Sequence, residues 1–315
     1  MCGIFGLVSS SRQQGEIDAL CQAGTKRLAH RGPDGSGYWS SPGVGLGHRR
    51  LSIIDISGGK QPMVSARAPL TIVFNGEIVN HGDLRKELER DGVRFASDHS
   101  DTEVILALYE REGVNCLKRL RGMFAFAIWD ARDNSLFLAR DHMGVKPLYF
   151  FEGDNEVGFS SEICALHDSG LVPFEANHKT FNEFLIFGVV AGQSTIHKSI
   201  SELPAGHAAF FKNGVLKVHR YWYPAPEEFR ADLTLDDAVD QLDSLISETM
   251  REWTISDVPV GALVSGGLDS TLVSYLSARD LDRLDMFTVF FPDHSTEIDE
   301  RHLAALAAKL QIKNT

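Results

Sequence analysis

The chain begins Met1-Cys2-Gly3-Ile4-Phe5-Gly6, and a cysteine directly behind the initiator methionine becomes the first residue when that methionine is removed. Such a residue carries both a nucleophile and a base. A thiol attacks as its thiolate, and a free α-amine, which titrates near pH ~8, can accept the thiol proton at neutral pH. The alternative is that Cys2 is a small apolar residue in an opening strand. The segments downstream favour the first interpretation.

Length and composition predict a globular protein of two domains. At 315 residues the chain exceeds one usual domain, and 43% apolar residues are enough for packed cores. The formal net charge of -12 argues against a surface that binds nucleic acid or an anionic membrane, because phosphate binding needs clustered cationic side chains. No apolar run reaches the length of a membrane span.

The cysteines indicate a reducing compartment. The four of them, Cys2, Cys21, Cys116 and Cys164, show neither a CxxC spacing nor a metal-type cluster with histidine. The N-terminus also lacks the basic stretch and apolar core of a signal peptide. We therefore predict a cytoplasmic protein.

Up to about residue 211, short β-branched and aromatic runs alternate with Gly, Pro and Asp. Continuous apolar runs are typical of strands covered on both faces, and apolar residues that recur every three or four positions are typical of helices. Strands are expected at 70–74, 124–129 and 135–139, and helices at 17–28, 82–90 and 102–110. We predict an α+β first domain over residues 2–211, with its helices outside the sheets.

A second domain is predicted over residues 234–315. A Pro-rich and charged segment, 212–233, indicates the linker. Thr234 can cap a helix whose apolar stripe is expected to pack in a core. After it we expect a strand at 258–264, a loop at 265–270, a helix at 271–279, a strand at 286–291 and a helix at about 297–310. This β-α-β-α order predicts the start of an α/β domain with a parallel sheet.

Five motifs accompany Cys2 in the first domain. They are residues 30–35 (HRGPDG), 48–54 (HRRLSII), 74–78 (FNGEI), 100–103 (SDTE) and 140–149 (RDHMGVKPLY). Together and in this order they resemble the glutaminase domain of class II glutamine amidotransferases, the N-terminal-nucleophile type. The resemblance covers nearly all of the first domain and implies a four-layer αββα fold.

The resemblance also implies a role for each residue. Cys2 would attack the side-chain amide of glutamine, and Asn75 with the backbone N–H of Gly76 would bind the tetrahedral oxyanion. Arg50 and Asp101 would hold the α-carboxylate and the α-ammonium. The other implied glutamine-binding residues are Leu51, Ser52, Ile53, Ile54 and Glu77. The α-amine of Cys2 would then protonate the leaving ammonia, and water would hydrolyse the thioester.

Taken singly, these residues also have simpler explanations. Asn75-Gly76 is a common turn pair. Asp101 can cap a helix that starts at Thr102, and Arg50 can be a solvated charge at the end of a strand. His48 we interpret as structural.

In the second domain, residues 265–270 (SGGLDS) lie between a predicted strand and a predicted helix, where backbone N–H groups can hold an anion. No Gly-Lys-Ser/Thr follows, so this is not the Walker pattern. The segment resembles the pyrophosphate loop of ATP pyrophosphatases. That resemblance implies ATP contacts from Ser265, Gly266, Gly267, Asp269 and Ser270, with Leu263 and Val289 beside the adenine. It makes Asp269 a candidate Mg²⁺ ligand, since hard cations prefer carboxylate and phosphate oxygens. A glycine-rich turn with Asp269 as an ordinary helix cap is the alternative.

A glutaminase domain followed by a pyrophosphate loop resembles the glutamine-hydrolysing asparagine synthetases of the B type. This resemblance implies an ATP-dependent ligase of amino-acid biosynthesis that uses glutamine, ATP and aspartate, and it allows a homodimer. Ammonia released at Cys2 would react with a β-aspartyl adenylate to give asparagine, glutamate, AMP and pyrophosphate.

Two alternatives remain open at this level. One is amidation of another carboxylate in a specialised biosynthetic pathway, and the other is a glutaminase or sensing module without synthesis. Full-length members of the family continue with a second substrate-binding loop and a helical region. We therefore expect this chain to be a fragment without the acceptor pocket.

Overall fold

The computed structural model describes residues 1–224, 233–281, 283–289 and 305. The chain divides into two compact units, Met1–Ala225 and Pro226–Thr315. The domain limits and the linker at 212–233 stay predictions, and part of that linker, 225–232, lies outside the described residues. So do the end of the predicted strand at 286–291 and, apart from residue 305, the predicted helix at 297–310.

The first unit contains two sheets with helices. Its elements in chain order are β1 (Gly3–Ser9), α1 (Gln14–Arg27), β2 (Gly35–Ser41), β3 (Val44–Arg50), β4 (Met63–Val64), β5 (Leu70–Ile78), α2 (His81–Arg90), α3 (Asp101–Glu112), a 3-10 helix (Gly113–Lys118), β6 (Gly122–Asp130), β7 (Ser135–Arg140), β8 (Tyr149–Gly153), β9 (Glu156–Ser160), α4 (Ile163–Asp168), α5 (His178–Phe187), β10 (Ile200–Glu202), β11 (His207–Lys212) and β12 (Val215–Arg220). The three predicted helices and the three predicted strands are confirmed by α1, α2, α3, β5, β6 and β7.

Each sheet has six strands. The order is β10-β8-β9-β1-β3-β2 in the first sheet and β12-β11-β7-β6-β5-β4 in the second, and neighbouring strands are antiparallel.

Strand β1 shows why the apolar runs are continuous. Alternate residues of a strand point to opposite faces. Ile4 and Val8 lie in the core between the two sheets, whereas Phe5 and Leu7 lie in a separate core with Ile17 of α1. Every residue of β1 is therefore buried.

A third core completes the layers. It packs α2 and α3 against the outer face of the second sheet, with Leu84 and Leu106 from the helices and Phe74 and Phe126 from the strands. The order of layers is helix, sheet, sheet, helix, so the predicted αββα fold is confirmed.

The sheets bring the predicted motifs to one place. In the pairing of β1 with β3, Gly3 lies opposite Arg49, so the next position outward sets Cys2 beside Arg50. Strand β5 carries Asn75, Gly76 and Glu77, and α3 starts at Asp101.

The second unit begins with α6 (Leu235–Trp253), which Thr234 caps as predicted. Strand β13 (Gly261–Leu263), α7 (Leu268–Asp280) and the parallel strand β14 (Asp285–Phe287) follow. The parallel pair joined by a helix confirms the α/β start. Strand β13 is shorter than the strand predicted at 258–264, and α7 begins three residues earlier than predicted, because Gly267 takes the extended conformation of an N-cap.

One expectation about α6 is wrong. The apolar stripe was expected to pack in a core, yet Leu235, Val239, Leu242 and Leu245 are 54–79% exposed and no residue of α6 is buried. Within its described residues, this unit supplies only α7 and a two-stranded sheet, which are too small to cover the stripe. No helix in the described part of the chain is long and apolar enough to cross a membrane.

Candidate active site around Cys2

A cavity of about 210 Å³ opens at the start of β1. Its walls come from the ends of β3, β5 and α3, and from the loop between β3 and β4. Nine of the predicted residues line it: Cys2, Arg50, Leu51, Ile53, Ile54, Asn75, Gly76, Glu77 and Asp101. Ser52 is the exception, since it is not a lining residue and its backbone N–H donates to the carboxylate of Asp34.

The backbone N–H and carbonyl groups of Leu51 hold the thiol of Cys2. Sγ donates to the carbonyl oxygen of Leu51 at 3.5 Å and accepts from the N–H of Leu51 at 3.4 Å. Burial raises the pKa of this thiol, while the hydrogen bond with Leu51 and the charge of Arg50 oppose that rise. A thiol in this environment needs an adjacent base before it can act as a nucleophile.

The backbone of Cys2 is anchored from the motif at 30–35. Nε of Arg31 donates to the carbonyl oxygen of Cys2 at 2.9 Å, and Nη1 of Arg31 donates to Glu162 at 2.9 Å. Met1 also lines the cavity, and burial lowers the pKa of its α-amino group. The chain terminus therefore lies at the cavity and not away from it.

Asn75 is a buried amide with no hydrogen-bond partner among the described residues. Its side chain is 1% exposed, and both Nδ2 and Oδ1 are unpaired there. Because a buried polar group without a partner is costly, this amide is expected to serve a ligand. Asn75 and Gly76 pair with Ala125 and Phe124 inside a nine-residue strand, so the alternative that they form a turn is wrong.

Gly76 has a steric reason to be glycine. A Cβ at this position would collide with the carbonyl oxygen of Met123 and with Cα of Phe124, both on β6. At this position β5 can therefore pair this closely with β6 only without a side chain.

Arg50 is not a solvated charge, since its guanidinium is held by the loop that follows it. Nη1 donates to the carbonyl oxygen of Ile56 at 2.8 Å, and Nη2 donates to those of Ile54 at 3.2 Å and Asp55 at 2.7 Å. These three bonds fix the guanidinium at the cavity wall. They leave the Nε proton and one Nη1 proton available to a carboxylate.

Asp101 and Glu77 form an acidic wall. Asp101 is 6% exposed, and its Oδ2 accepts the backbone N–H of Ile78 at 3.2 Å. The cap of α3 is Ser100, so Asp101 is the first residue of the helix and not its cap. Burial raises the pKa of both carboxyls, and burial together with the charge of Asp101 raises the pKa of Glu77 to about 7. A ligand ammonium would relieve this crowding of negative charge.

Seven lining residues lie outside the predicted set, and two of them, Lys146 and Gln61, make notable contacts. Lys146 is 6% exposed, lies close enough to Cys2 and Glu77 to interact electrostatically with both, and has its pKa lowered by burial. Lys146 belongs to the motif at 140–149, and this motif was the only feature of the sequence that could have indicated its place at the cavity. Gln61 accepts the N–H of Phe74 at 2.6 Å and donates to Thr102 at 3.3 Å, and nothing in the sequence pointed to it.

His48 fits its structural interpretation. It is 1% exposed, its Nε2 lies 3.1 Å from the carbonyl oxygen of Phe74, and burial lowers its pKa to about 4. The ring is neutral at physiological pH and joins β3 to β5.

In the second unit, the loop at 265–270 is organised by its two serines. The hydroxyls of Ser265 and Ser270 lie 3.1 Å apart, and the hydroxyl of Ser270 accepts the N–H of Ser265 at 3.2 Å. Gly266 has φ +81°, a conformation that favours glycine. Asp269 and Ser270 belong to the first turn of α7, where N–H groups are free for an anion.

The other two residues that were predicted to contact ATP are exposed. Leu263 is 78% exposed and Val289 is 68% exposed. Among the described residues, no group of three or more His, Cys, Asp or Glu side chains is arranged to hold a metal ion. Asp269 offers one carboxylate, which is enough for Mg²⁺ only when phosphate oxygens and waters supply the other ligands.

Comparisons with known proteins agree with this geometry. The family model described as "Glutamine amidotransferase domain" matches residues 1–222, and the one described as "Asparagine synthase" matches residues 241–315. The chain is 36% identical over 286 residues to asparagine synthetase [glutamine-hydrolyzing] 3 of Bacillus subtilis, covering 90% of this chain and 46% of that protein. It is 33% identical over 284 residues to asparagine synthetase B [glutamine-hydrolyzing] of Escherichia coli, covering 89% and 45%. The chain thus spans about half the length of the curated relatives it matches.

A solved structure supports the fold. Glutamine phosphoribosylpyrophosphate amidotransferase of B. subtilis, in complex with ADP and GMP, superposes with a TM-score of 0.53 at 18% identity, covering 91% of this chain and 65% of that one. With the family model that spans most of the chain, these observations show that the chain belongs to the glutamine amidotransferase domain family.

Proposed function

We propose that the first unit hydrolyses glutamine at Cys2, as the ammonia-producing half of a glutamine-dependent asparagine synthetase. The observation that carries the proposal is the unpartnered, buried amide of Asn75 in the same cavity as the thiol of Cys2. A buried donor without a partner suits charge that develops only during the reaction.

The first step is activation of the nucleophile. Removal of Met1 would expose the α-amine of Cys2 at the cavity, where this amine accepts the thiol proton. The hydrogen bond from Arg31 to the carbonyl oxygen of Cys2 holds amine and thiol in a fixed orientation.

The second step is attack and loss of ammonia. The thiolate attacks the side-chain amide carbon of glutamine, and Nδ2 of Asn75 with the N–H of Gly76 bind the oxyanion, each donor contributing about 3–4 kcal/mol. The Cys2 ammonium protonates the leaving nitrogen, and water then hydrolyses the thioester to glutamate.

Substrate recognition uses the charged ends of the cavity. The guanidinium of Arg50 would bind the α-carboxylate, and the carboxylates of Asp101 and Glu77 would bind the α-ammonium. The backbone of residues 51–54 forms the side of the pocket. Ser52 does not itself line the pocket and contributes only by linking Leu51 to Ile53.

The second unit would bind ATP. Ser265, Gly266, Gly267 and Ser270 would hold the pyrophosphate through hydroxyl and N–H donors, with Leu263 and Val289 beside the adenine. Asp269 would hold Mg²⁺, which neutralises phosphate charge when it is bound. Because the named relatives are asparagine synthetases, we propose aspartate as the acceptor, with asparagine, AMP and pyrophosphate as products.

We also propose a cellular location and domain limits, both of which come from the sequence. Acidic net charge and free cysteines support a cytoplasmic enzyme. We keep the domain limits 2–211 and 234–315, with 212–233 as linker.

The test of the glutaminase is glutamate release from glutamine by this chain, measured with and without ATP. We expect release in both cases, because the cavity lies entirely in the first unit. No release under either condition would contradict the proposal and favour a sensing module. For the ATP half, aspartate-dependent exchange of pyrophosphate into ATP is the test, in a form that includes the rest of the relatives' length.

A further inference from the structure

Asp55 lies at the centre of the loop between β3 and β4. It is 2% exposed and has φ +45°, in the left-handed region. Glycine adopts this region at the lowest cost, and aspartate tolerates it. A side chain kept at such a position is expected to make contacts that glycine could not make.

The backbone of Asp55 fixes Arg50. Its carbonyl oxygen accepts Nη2 of Arg50 at 2.7 Å and the N–H of Gly59 at 2.8 Å. The first bond is the shortest of the three that hold the guanidinium. The position of the Arg50 charge therefore depends on the conformation at Asp55.

The carboxylate of Asp55 fixes the opposite wall. Oδ1 accepts the N–H of Gly58 at 2.7 Å and the hydroxyl of Ser57 at 3.4 Å, and Oδ2 accepts the N–H of His99 at 3.3 Å. His99 is two residues before Asp101. Although burial acts to raise it, the bonds from Gly58 and His99 hold the pKa of this carboxyl below its ordinary value, so the group is ionised at neutral pH.

We propose that Asp55 is a positioning residue that sets the separation between Arg50 and Asp101, and thereby the fit of the cavity to an α-amino acid. One residue joins the two charged ends, through its carbonyl oxygen on one side and its carboxylate on the other. This inference rests on the proposed binding of glutamine by those two groups.

A positioning role and a purely structural role of Asp55 have different consequences for catalysis. A loop that merely loses stability would lower the amount of folded protein and affect all reactions of Cys2 alike. A change in the separation between Arg50 and Asp101 would weaken glutamine binding. The thiol of Cys2, which is held by Leu51 and Arg31, would keep its reactivity.

The experiment compares Asp55→Gly, which keeps the backbone conformation and removes the carboxylate, with Asp55→Asn, which keeps one acceptor oxygen. The matched control is Asn213→Gly, which changes a residue at φ +53° in the turn between β11 and β12. For each variant, KM and kcat for glutamine are measured, together with the alkylation rate of Cys2 by iodoacetamide, an uncharged reagent without α-groups.

We expect Asp55→Gly to raise KM about tenfold or more, with kcat and alkylation within about twofold of the parent, and Asp55→Asn to show a smaller rise. Asn213→Gly is expected to leave all three values unchanged. Two results would overturn this inference without affecting the proposed function. One is an unchanged KM in Asp55→Gly. The other is a rise in KM accompanied by equally large decreases in kcat and in the alkylation rate in both Asp55 variants. If the parent chain does not hydrolyse glutamine, the proposed function fails and the inference fails with it.

Discussion

The carboxylate of Asp101 accepts the backbone N–H of Ile78 at 3.2 Å, which ties the first turn of α3 to the end of β5. Glu77 is the residue before Ile78, so this bond keeps the buried carboxyl of Asp101 beside the partly buried carboxyl of Glu77. Their proximity, together with burial, raises the pKa of Glu77 to about 7.

The first prediction concerns Glu77 and pH. A carboxyl whose folded pKa lies above its unfolded value of 4.5 binds extra protons in the folded state, so it lowers stability as pH rises from 4.5 through 7. Glu77→Gln removes this cost. After allowance for partial exposure, we expect about 1–2 kcal/mol more unfolding free energy at pH 8 and no change at pH 4. Urea unfolding at the two pH values measures it, and an equal gain at both would contradict the assignment.

The second prediction concerns the nucleophile. Cys2→Ala should abolish glutamate release and leave the fold intact, because thiol and α-amine belong to one residue. Cys164→Ala, which alters an exposed free cysteine, is the matched control and should keep full activity. Intact mass of the active protein should show loss of Met1. A fully active preparation that retains Met1 would refute the mechanism.

The third prediction separates binding from chemistry. Arg50→Gln and Asp101→Asn should each cost about 2–4 kcal/mol, mainly as a raised KM, because we propose that these side chains contact glutamine atoms distant from the scissile amide. Asn75→Ala should lower kcat about a hundredfold or more, because it removes an oxyanion donor. Steady-state kinetics on glutamine decides between these roles. Equal loss of kcat in all three variants would show that the assignments are wrong.

The fourth prediction concerns Lys146, whose ammonium interacts with the thiol of Cys2. A nearby cation favours the thiolate, so Lys146→Met should raise the pKa of Cys2. The pH dependence of alkylation by iodoacetamide measures this shift. Lys146→Arg keeps the charge and is expected to show the parent profile. A parent-like profile in Lys146→Met would mean that Lys146 only packs.

Much of the fold and of the site could be predicted because local sequence carries it. Strands β5, β6 and β7 are largely buried and require continuous apolar runs, and those runs are visible in the sequence. Motif order likewise indicated the residues that meet around Cys2. Ser52 was assigned with its neighbours because a motif does not show which of four consecutive residues faces a cavity.

The features that escaped prediction depend on tertiary structure. The bonds of Arg50 to the carbonyls of Ile54, Asp55 and Ile56 exist only once the loop has folded back. Gln61 acts through Phe74 and Thr102, which are distant in sequence. The exposed stripe of α6 was mispredicted because periodicity reports which face is apolar, and not what covers it.

The central place of β1 in its sheet sets an order of events during synthesis. Leu7 of β1 pairs with Gly45 of β3 and with Gly158 of β9, so the strand behind the nucleophile cannot be completed until more than half of the first unit has left the ribosome. Until then one edge of β1 has no partner strand. Removal of Met1 can therefore take place on the growing chain, before the cavity exists around Cys2.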